Sequence, residues 1–237
     1  MIDLHCHLLP ALDDGAASLE EAMAMARMAR AEGIEGVFCT PHWRPGVYDT
    51  ATAEVASAVD SLQARLDAEG IGIALRAGME WHFDIDLIAR ARAQRLPGIG
   101  QWNGEQAILL EFPHGELPAH AERLTGKLRE LGIRPIIVHP ERNAGFLARP
   151  QALSVFRDQG CLFQITAGAL DGDFGEQPFL AAQRHLINGD AHFLATDAHN
   201  MTRRPPRLYR SYCQAARLVG EESANALVDG NPRALWR

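Results

Sequence analysis

The sequence has no Cys-x-x-Cys, no Gly-x-Ser-x-Gly, no Gly-x4-Gly-Lys and no strand-anchored Gly-x-Gly-x-x-Gly. Serine hydrolase, nucleotide hydrolase and dinucleotide-binding chemistries therefore lack the residues that would carry them. The four cysteines, Cys6, Cys39, Cys161 and Cys213, are too widely spaced to suggest a thiolate zinc cluster or a secreted disulfide framework. A cysteine-dependent tyrosine phosphatase needs Cys-x5-Arg, whereas the positions six beyond these cysteines hold Leu12, Pro45, Ala167 and Val219. No apolar run approaches the ~18 residues of a membrane span. Asp3 and His5 stand where a signal peptide would be basic and then apolar, so a cytoplasmic protein without membrane insertion is expected. Positive charge is also short: 23 Lys plus Arg against 30 Asp plus Glu give a net charge of −7, which argues against a dedicated nucleic-acid binder. An acidic chain can still hold an anion if its carboxylates gather around cations, and ten histidines make that worth pursuing.

With 237 residues, 47% of them hydrophobic, the chain can bury a core without staples, so any metal would serve function rather than folding. No linker, repeat or low-complexity tract interrupts it, and α/β barrels occupy about 200–250 residues as one unit. A single domain over 1–237 is expected. Apolar β-type runs at 2–4, 36–39, 73–77, 107–110, 135–138, 162–165 and 193–195 alternate with helical patterns, the signature of βαβ units and parallel sheets. Ser18 and Glu21 form a capping-box pattern ahead of the first helix. Further helices are expected near 51–69, 84–95, 119–131, 151–159, 178–188 and 207–219, several followed by a glycine suited to a C-cap. Asn231-Pro232 reads as an N-cap and first residue of a short last helix.

The ends of these strands carry the chemistry. The first runs into His5 and His7, the second into His42, the third into Glu80, the fourth into Glu111, the fifth into His139 and the seventh into Asp197 and His199. In parallel α/β folds the C-terminal strand ends form the active-site face, so residues distant in sequence would meet in one crater. Residues i and i+2 of an extended chain share a side, which lets His5 and His7 reach one ion while Cys6 faces away. Mixed imidazole and carboxylate donors suit zinc, manganese or iron better than magnesium or calcium. With Asp14 there are nine candidate ligands, too many for one ion, so two or three clustered ions with a bridging carboxylate are expected. The remaining histidines, His82, His114, His120, His185 and His192, read as ordinary surface or core residues, with His82 and His114 near the rim. Arg142 and Arg204 lie just beyond the ligands, where guanidinium forks suit phosphate oxygens, and Arg44 offers a further substrate contact.

Met1-Ile-Asp-Leu-His-Cys-His7, Asp13-Asp14-Gly15, Thr40-Pro-His42, Ala77-Gly-Met-Glu80, His139-Pro-Glu-Arg142 and Asp197-Ala-His-Asn with Arg204-Pro-Pro resemble, in order, the motifs of the polymerase and histidinol phosphatase (PHP) superfamily. Within it the chain is most similar to the bacterial CpsB/YwqE-type tyrosine-protein phosphatases, over essentially its whole length. The resemblance implies a distorted seven-stranded (β/α)7 TIM-like barrel holding two or three divalent ions, manganese first, iron or zinc otherwise. It implies His5, His7, Asp14, His42, Glu80, Glu111, His139, Asp197 and His199 as ligands, with Arg142 and Arg204 as phosphate-handling catalytic residues. The implied reaction is hydrolysis of phosphotyrosine by a metal-activated hydroxide, on the tail of a bacterial tyrosine kinase controlling capsule or exopolysaccharide synthesis. Trp43 and Pro45 flank Arg44 where relatives are commonly more basic, and the 113–118 loop differs in composition, both of which bear on substrate recognition. Histidinol-phosphate phosphatase is the rival activity, and a catalytically silent PHP-like binding or scaffold module the rival class.

Overall fold

Each expected apolar run becomes a strand in a computed structural model that describes residues 1–237. In chain order the strands are β1 (Ile2–Cys6), β2 (Gly36–Cys39), β3 (His42–Trp43), β4 (Ala74–Ala77), β5 (Glu80–His82), β6 (Gly100–Trp102), β7 (Glu105–Glu111), β8 (Ile133–Val138), β9 (Leu162–Thr166) and β10 (Phe193–Ala195). Three of these, β3, β5 and β6, were not among the expected seven. They are two or three residues long, too short to show any hydrophobic period.

The helices are α1 (Leu19–Ala31), α2 (Thr52–Ala68), α3 (Asp86–Arg92), α4 (Ala121–Glu130), α5 (Ala144–Ala148), α6 (Leu153–Asp158), α7 (Ala167–Asp171), α8 (Glu176–Ile187), α9 (Tyr209–Val219), α10 (Glu221–Asn225) and α11 (Asn231–Leu235). The Ser18 side chain caps α1 by accepting from the Glu21 N–H at 3.3 Å, while Glu21 reaches back to the Ala17 N–H at 3.0 Å. The last helix departs from expectation. Asn231 is itself helical, continuing from 226–230, and its side chain donates to the His192 carbonyl at 2.8 Å instead of capping.

Parallel pairing orders one sheet β1-β2-β4 and a second β10-β9-β8-β7-β5-β3, with β6 antiparallel on β7. The chain passes from the first sheet to the second twice, β2 into β3 across Thr40-Pro41 and β4 into β5 across Gly78-Met79. There the Gly78 N–H donates to the Cys39 carbonyl at 2.9 Å and the Glu80 N–H to the Pro41 carbonyl at 3.1 Å. Beyond β10, the Asp197 N–H donates to the His5 carbonyl at 2.8 Å and the His7 N–H to the Ala198 carbonyl at 2.9 Å. Backbone bonds thus tie the ends of β1, β3, β5 and β10 around one region.

Strand side chains divide by face. Ile2, Leu4, Phe38, Ala107, Leu109, Ile136, Val138, Leu162, Phe193 and Ala195 join Ile99 and Leu235 in a 12-residue cluster. Their neighbours of opposite parity, such as Val37, Ile108, Leu110, Ile137, Phe163, Ile165 and Leu194, enter a 49-residue cluster shared with the helices. Burial on both faces explains why the strands read as continuous apolar runs.

At the end of the sheets opposite the histidines, α11 plugs the smaller cluster. Leu235 is fully buried there, and the Trp236 ring meets Phe38 edge-on at 4.8 Å. Gly100 makes the fit possible: with φ of +140°, its absent Cβ would fall 2.1 Å from the Leu235 carbonyl oxygen. Gly100→Ala is expected to lower the denaturant-unfolding free energy by about 1–3 kcal/mol, the range for overpacking. A change under about 0.5 kcal/mol, the range of neutral substitutions, would show that the plug tolerates displacement.

Candidate metal centre

The nine candidate ligands converge at the end of the strands where β1, β3, β5 and β10 are tied together. A β-bulge supplies the first two. Ile2 and Asp3 pair with Gly36 and Val37, but Cys6 pairs with Cys39, so three steps along β1 match two along β2. The extra residue shifts parity, as bulges beside active sites do. Leu4 therefore stays in the 12-residue cluster while His5 and His7 meet Gln164 and Asp197, which alternate with Leu162 and Ala195 on that same face. Parallel register brings in the others: His42 pairs with Glu80 between β3 and β5, and His82 with Glu111 between β5 and β7. His139 and Asp197 each follow a strand in left-handed backbone conformation, with φ of +36° and +51°. Such conformations are costly for residues with a Cβ and cluster at functional sites.

His5 Nε2 lies 3.1 Å from His7 Nε2, and each of these atoms stands 3.4 Å from Glu80 Oε2 and 3.5 Å from Asp197 Oδ1. The opposite nitrogens are engaged: His5 Nδ1 faces Gln164 Oε1 at 2.8 Å and His7 Nδ1 faces Asp13 Oδ2 at 2.6 Å. Both partners accept, so in the neutral rings Nδ1 carries the hydrogen and each Nε2 presents a lone pair. Two lone-pair nitrogens and two carboxylate oxygens thus point at one another in a fully buried place. Donors about 2.0–2.2 Å from a common ion stand roughly 2.8–3.1 Å apart at right angles and about 3.3–3.6 Å apart in a tetrahedron. The five separations match a shared cation.

Glu80 extends the arrangement, because its Oε1 lies 3.0 Å from His139 Nε2. Glu111 Oε1 stands 3.7 Å from that same nitrogen, and Glu111 Oε2 is held at 2.9 Å by His82 Nδ1. A third group forms at the mouth, with Asp14 Oδ1 3.4 Å from His42 Nε2 and 3.5 Å from His199 Nε2. His199 Nδ1 faces the Asp197 carbonyl at 3.0 Å, which again leaves Nε2 with the lone pair. Buried His199 Nε2, Glu80 Oε2 and His42 Nδ1 complete no hydrogen bond; His42 Nδ1 is 2.7 Å from Glu80 Oε2 but out of line. Buried polar atoms are rarely left so, and these donors fit divalent cations.

Charge is correspondingly unbalanced. Burial alone would push the Glu80 and Asp197 carboxyls up, yet His5 and His42 around Glu80, and Arg204 and His5 around Asp197, hold both well below the usual range. Burial disfavours the charged form of His5 as well, but Glu80 and Asp197 reverse it and leave its pKa raised. At His199 burial and the neighbouring His7 outweigh the pull of Asp14 and Asp197 and push its pKa down to about 4. The centre thus attracts positive charge at the carboxylates and keeps an outer ligand neutral.

A cavity of about 430 Å³ opens over this cluster, lined by candidate ligands together with Arg44, Val47, Tyr48, His82, His114, Gly115 and Arg204. The two arginines differ. Both reach Asp197 Oδ2, but Arg204 lines the cavity with a buried Nε that has no partner, whereas Arg142 sits behind Asp197 with its guanidinium 4.2 Å over the Phe174 ring. Arg44 lines the rim, in a tight turn where its backbone N–H donates to the Tyr48 carbonyl at 2.9 Å.

Several contributors escaped the sequence reading. Asp13 orients His7 and also accepts from the Gly15 and His42 N–H groups at 2.9 Å each. In the sequence it stood only as part of Asp13-Asp14-Gly15, with Asp14 the expected ligand. Gln164 gave no signal, and His82 was placed only near the rim. His120, His185 and His192 lie outside the cavity, as ordinary histidines would.

The sequence profile of the family described as "Capsular polysaccharide synthesis, CpsB/CapC" matches residues 1–237. Tyrosine-protein phosphatase YwqE of Bacillus subtilis (strain 168) is 38% identical over 204 residues, which cover 86% of this chain and 79% of that protein. The solved structure described as "YwqE from Bacillus subtilis and CpsB from Streptococcus pneumoniae, unique metal-dependent tyrosine phosphatases" superposes with a TM-score of 0.92 at 34% identity, covering 99% of this chain and 94% of that one. A phosphotriesterase homology protein from Escherichia coli shares the fold alone, with a TM-score of 0.61 at 11% identity over 100% of this chain and 98% of the other. The chain therefore belongs to the CpsB/CapC family of capsular polysaccharide synthesis proteins, within the PHP-type metal-dependent phosphatases.

Proposed function

We propose that this protein is a metal-dependent protein-tyrosine phosphatase that hydrolyses phosphotyrosine on a bacterial protein, the tail of a tyrosine kinase controlling capsule or exopolysaccharide synthesis being the first candidate. The observation that carries this reading is the buried quartet of His5, His7, Glu80 and Asp197, whose facing lone pairs stand 3.1–3.5 Å apart. Likeness to proteins described as tyrosine phosphatases supports the substrate class. The chain is read as one domain whose two sheets form a distorted seven-stranded (β/α)7 barrel. No helix is long and apolar enough to cross a membrane; a cytoplasmic location is part of the proposal.

His5, His7, Glu80 and Asp197 would hold one divalent ion, Glu80 with Glu111 and His139 a second, and Asp14, His42 and His199 a third. Manganese is the first choice, with iron or zinc as alternatives. When bound, such ions supply Lewis acidity and acidify coordinated water. The chain's own part is to orient and to neutralise. Arg204, which lines the cavity, would take phosphate oxygens by charge-assisted hydrogen bonds. Arg142 would share that charge while stacked on Phe174, and Arg44 at the rim would meet groups flanking the phosphate. A phenol, with a pKa near 10, leaves with less proton assistance than an alcohol, which favours an aryl phosphate.

Three outcomes are expected. Exhaustive chelation abolishes hydrolysis of a phosphotyrosine peptide and manganese restores it, with histidinol phosphate turned over far more slowly; full activity without metal, or preference for histidinol phosphate, would contradict the assignment. Asp13→Asn, which replaces the acceptor behind His7, weakens metal binding about 10–100-fold in a titration followed by calorimetry, the usual effect of an outer partner; unchanged affinity would remove Asp13 from the centre. Arg204→Ala lowers kcat/KM by about 10²-fold or more with ion content intact, the scale for losing a donor that meets developing charge. Loss of ions instead would reassign Arg204 to holding Asp197.

A further inference from the structure

We propose that His114 is an additional metal ligand, its Nε2 completing from the solvent side the coordination of the divalent cation held by Glu111 and His139. The inference rests on reading the site as a metal centre and adds a residue outside the nine expected ligands.

Geometry carries it. His114 Nε2 and His139 Nε2 stand at the same distance, 3.7 Å, from one atom, Glu111 Oε1. Donor atoms of Glu111, His114 and His139 all lie within 4.8 Å of one another. Ligands about 2.1–2.2 Å from a six-coordinate ion stand roughly 3.0 Å apart when adjacent and about 4.3 Å apart when opposite, so small side-chain rotations of Glu111 and His114 would bring the three into one shell. Glu111 is set up for this, because His82 occupies its other oxygen at 2.9 Å and leaves Oε1 facing the two imidazoles.

The backbone that carries His114 is anchored beside the cluster. Its carbonyl accepts from the Ala144 N–H at 2.9 Å, and the Asn143 side-chain amide donates to the carbonyls on either side, Pro113 at 2.7 Å and Glu116 at 3.0 Å. Asn143 also caps α5 through the Phe146 N–H at 3.1 Å, and it follows His139 by four residues. Asn143 thus ties the backbone segment that carries His114 to the one that carries His139. The His114 side chain is 54% exposed and could hydrate freely in other rotamers, yet it faces Glu111 and the His139 ring, with centroids 5.2 Å apart. A half-exposed ligand would close the cation's outer side while staying able to yield its position to an incoming phosphate oxygen. That distinguishes it from the fully buried ligands beneath.

The test compares ion content after dialysis, by elemental analysis, and manganese titration by calorimetry for the parent protein, His114→Ala and His114→Asp, with circular dichroism to establish folding. His114→Ala is expected to bind one manganese ion at least about tenfold more weakly while the remaining ions keep their affinity, and His114→Asp, which restores an anionic ligand, to recover part of the loss. A folded His114→Ala protein that retains as many ions with parental affinity would overturn the inference, even if its turnover fell, since His114 would then serve substrate or proton transfer alone. A parent protein that retains no ion would overturn the metal reading of the whole site as well.

Discussion

The arrangement depends on one unfavourable contact: two imidazole lone pairs facing each other at 3.1 Å and two carboxylate oxygens at 3.4–3.5 Å, all fully buried. With both rings neutral these groups repel, and burial magnifies the repulsion. Much of the surrounding structure keeps them from turning away. The β1 bulge brings His5 and His7 onto the same face, Gln164 and Asp13 fix their tautomers, and backbone bonds between β1 and the segment after β10 bring Asp197 up against them. Left-handed backbone at His139 and Asp197 is a further cost accepted at the same spot. Such a concentration of strain and unpaired charge is reasonable only if positive charge enters.

This resolves the apparent conflict between an acidic chain and an anionic substrate. A net charge of −7 describes the whole surface, whereas an approaching phosphate would meet a crater whose carboxylates are engaged from below. Asp197 is the hinge of that balance. One of its oxygens faces the His5 and His7 nitrogens, the other receives both Arg142 and Arg204. The same carboxylate thereby joins the metal quartet to the guanidinium groups proposed to take phosphate, so disturbance of either side should be felt on the other.

Strand-end residues were legible in the sequence because the fold makes them so. Apolar runs buried on both faces are long enough to recognise, and the residue after each run is committed to one end of the sheets. Hence His5, His7, His42, Glu80, Glu111, His139, Asp197 and His199 could be picked out, and all lie around one crater with Asp14. What the sequence could not convey is which partner stands behind each of them. Asp13 differs from Asp14 by one position but turns inward to His7 and the His42 N–H, a choice made by the close turn at Gly15, whose absent Cβ would strike the His7 carbonyl oxygen at 2.2 Å. His82 looked like a rim residue because β5 is three residues long, and its link to Glu111 exists only through the parallel register. Arg142 and Arg204 looked equivalent, yet packing on Phe174 withdraws one behind Asp197 and leaves the other facing the cavity.

The most direct test of the central claim is anomalous scattering from crystals of the protein grown with manganese. A peak is expected about 2.0–2.3 Å from His5 Nε2, His7 Nε2, Glu80 Oε2 and Asp197 Oδ1, with at least one further peak beside Glu111 and His139. A well-ordered crater without anomalous density between His5 and His7, or manganese bound only at the protein surface, would contradict that claim.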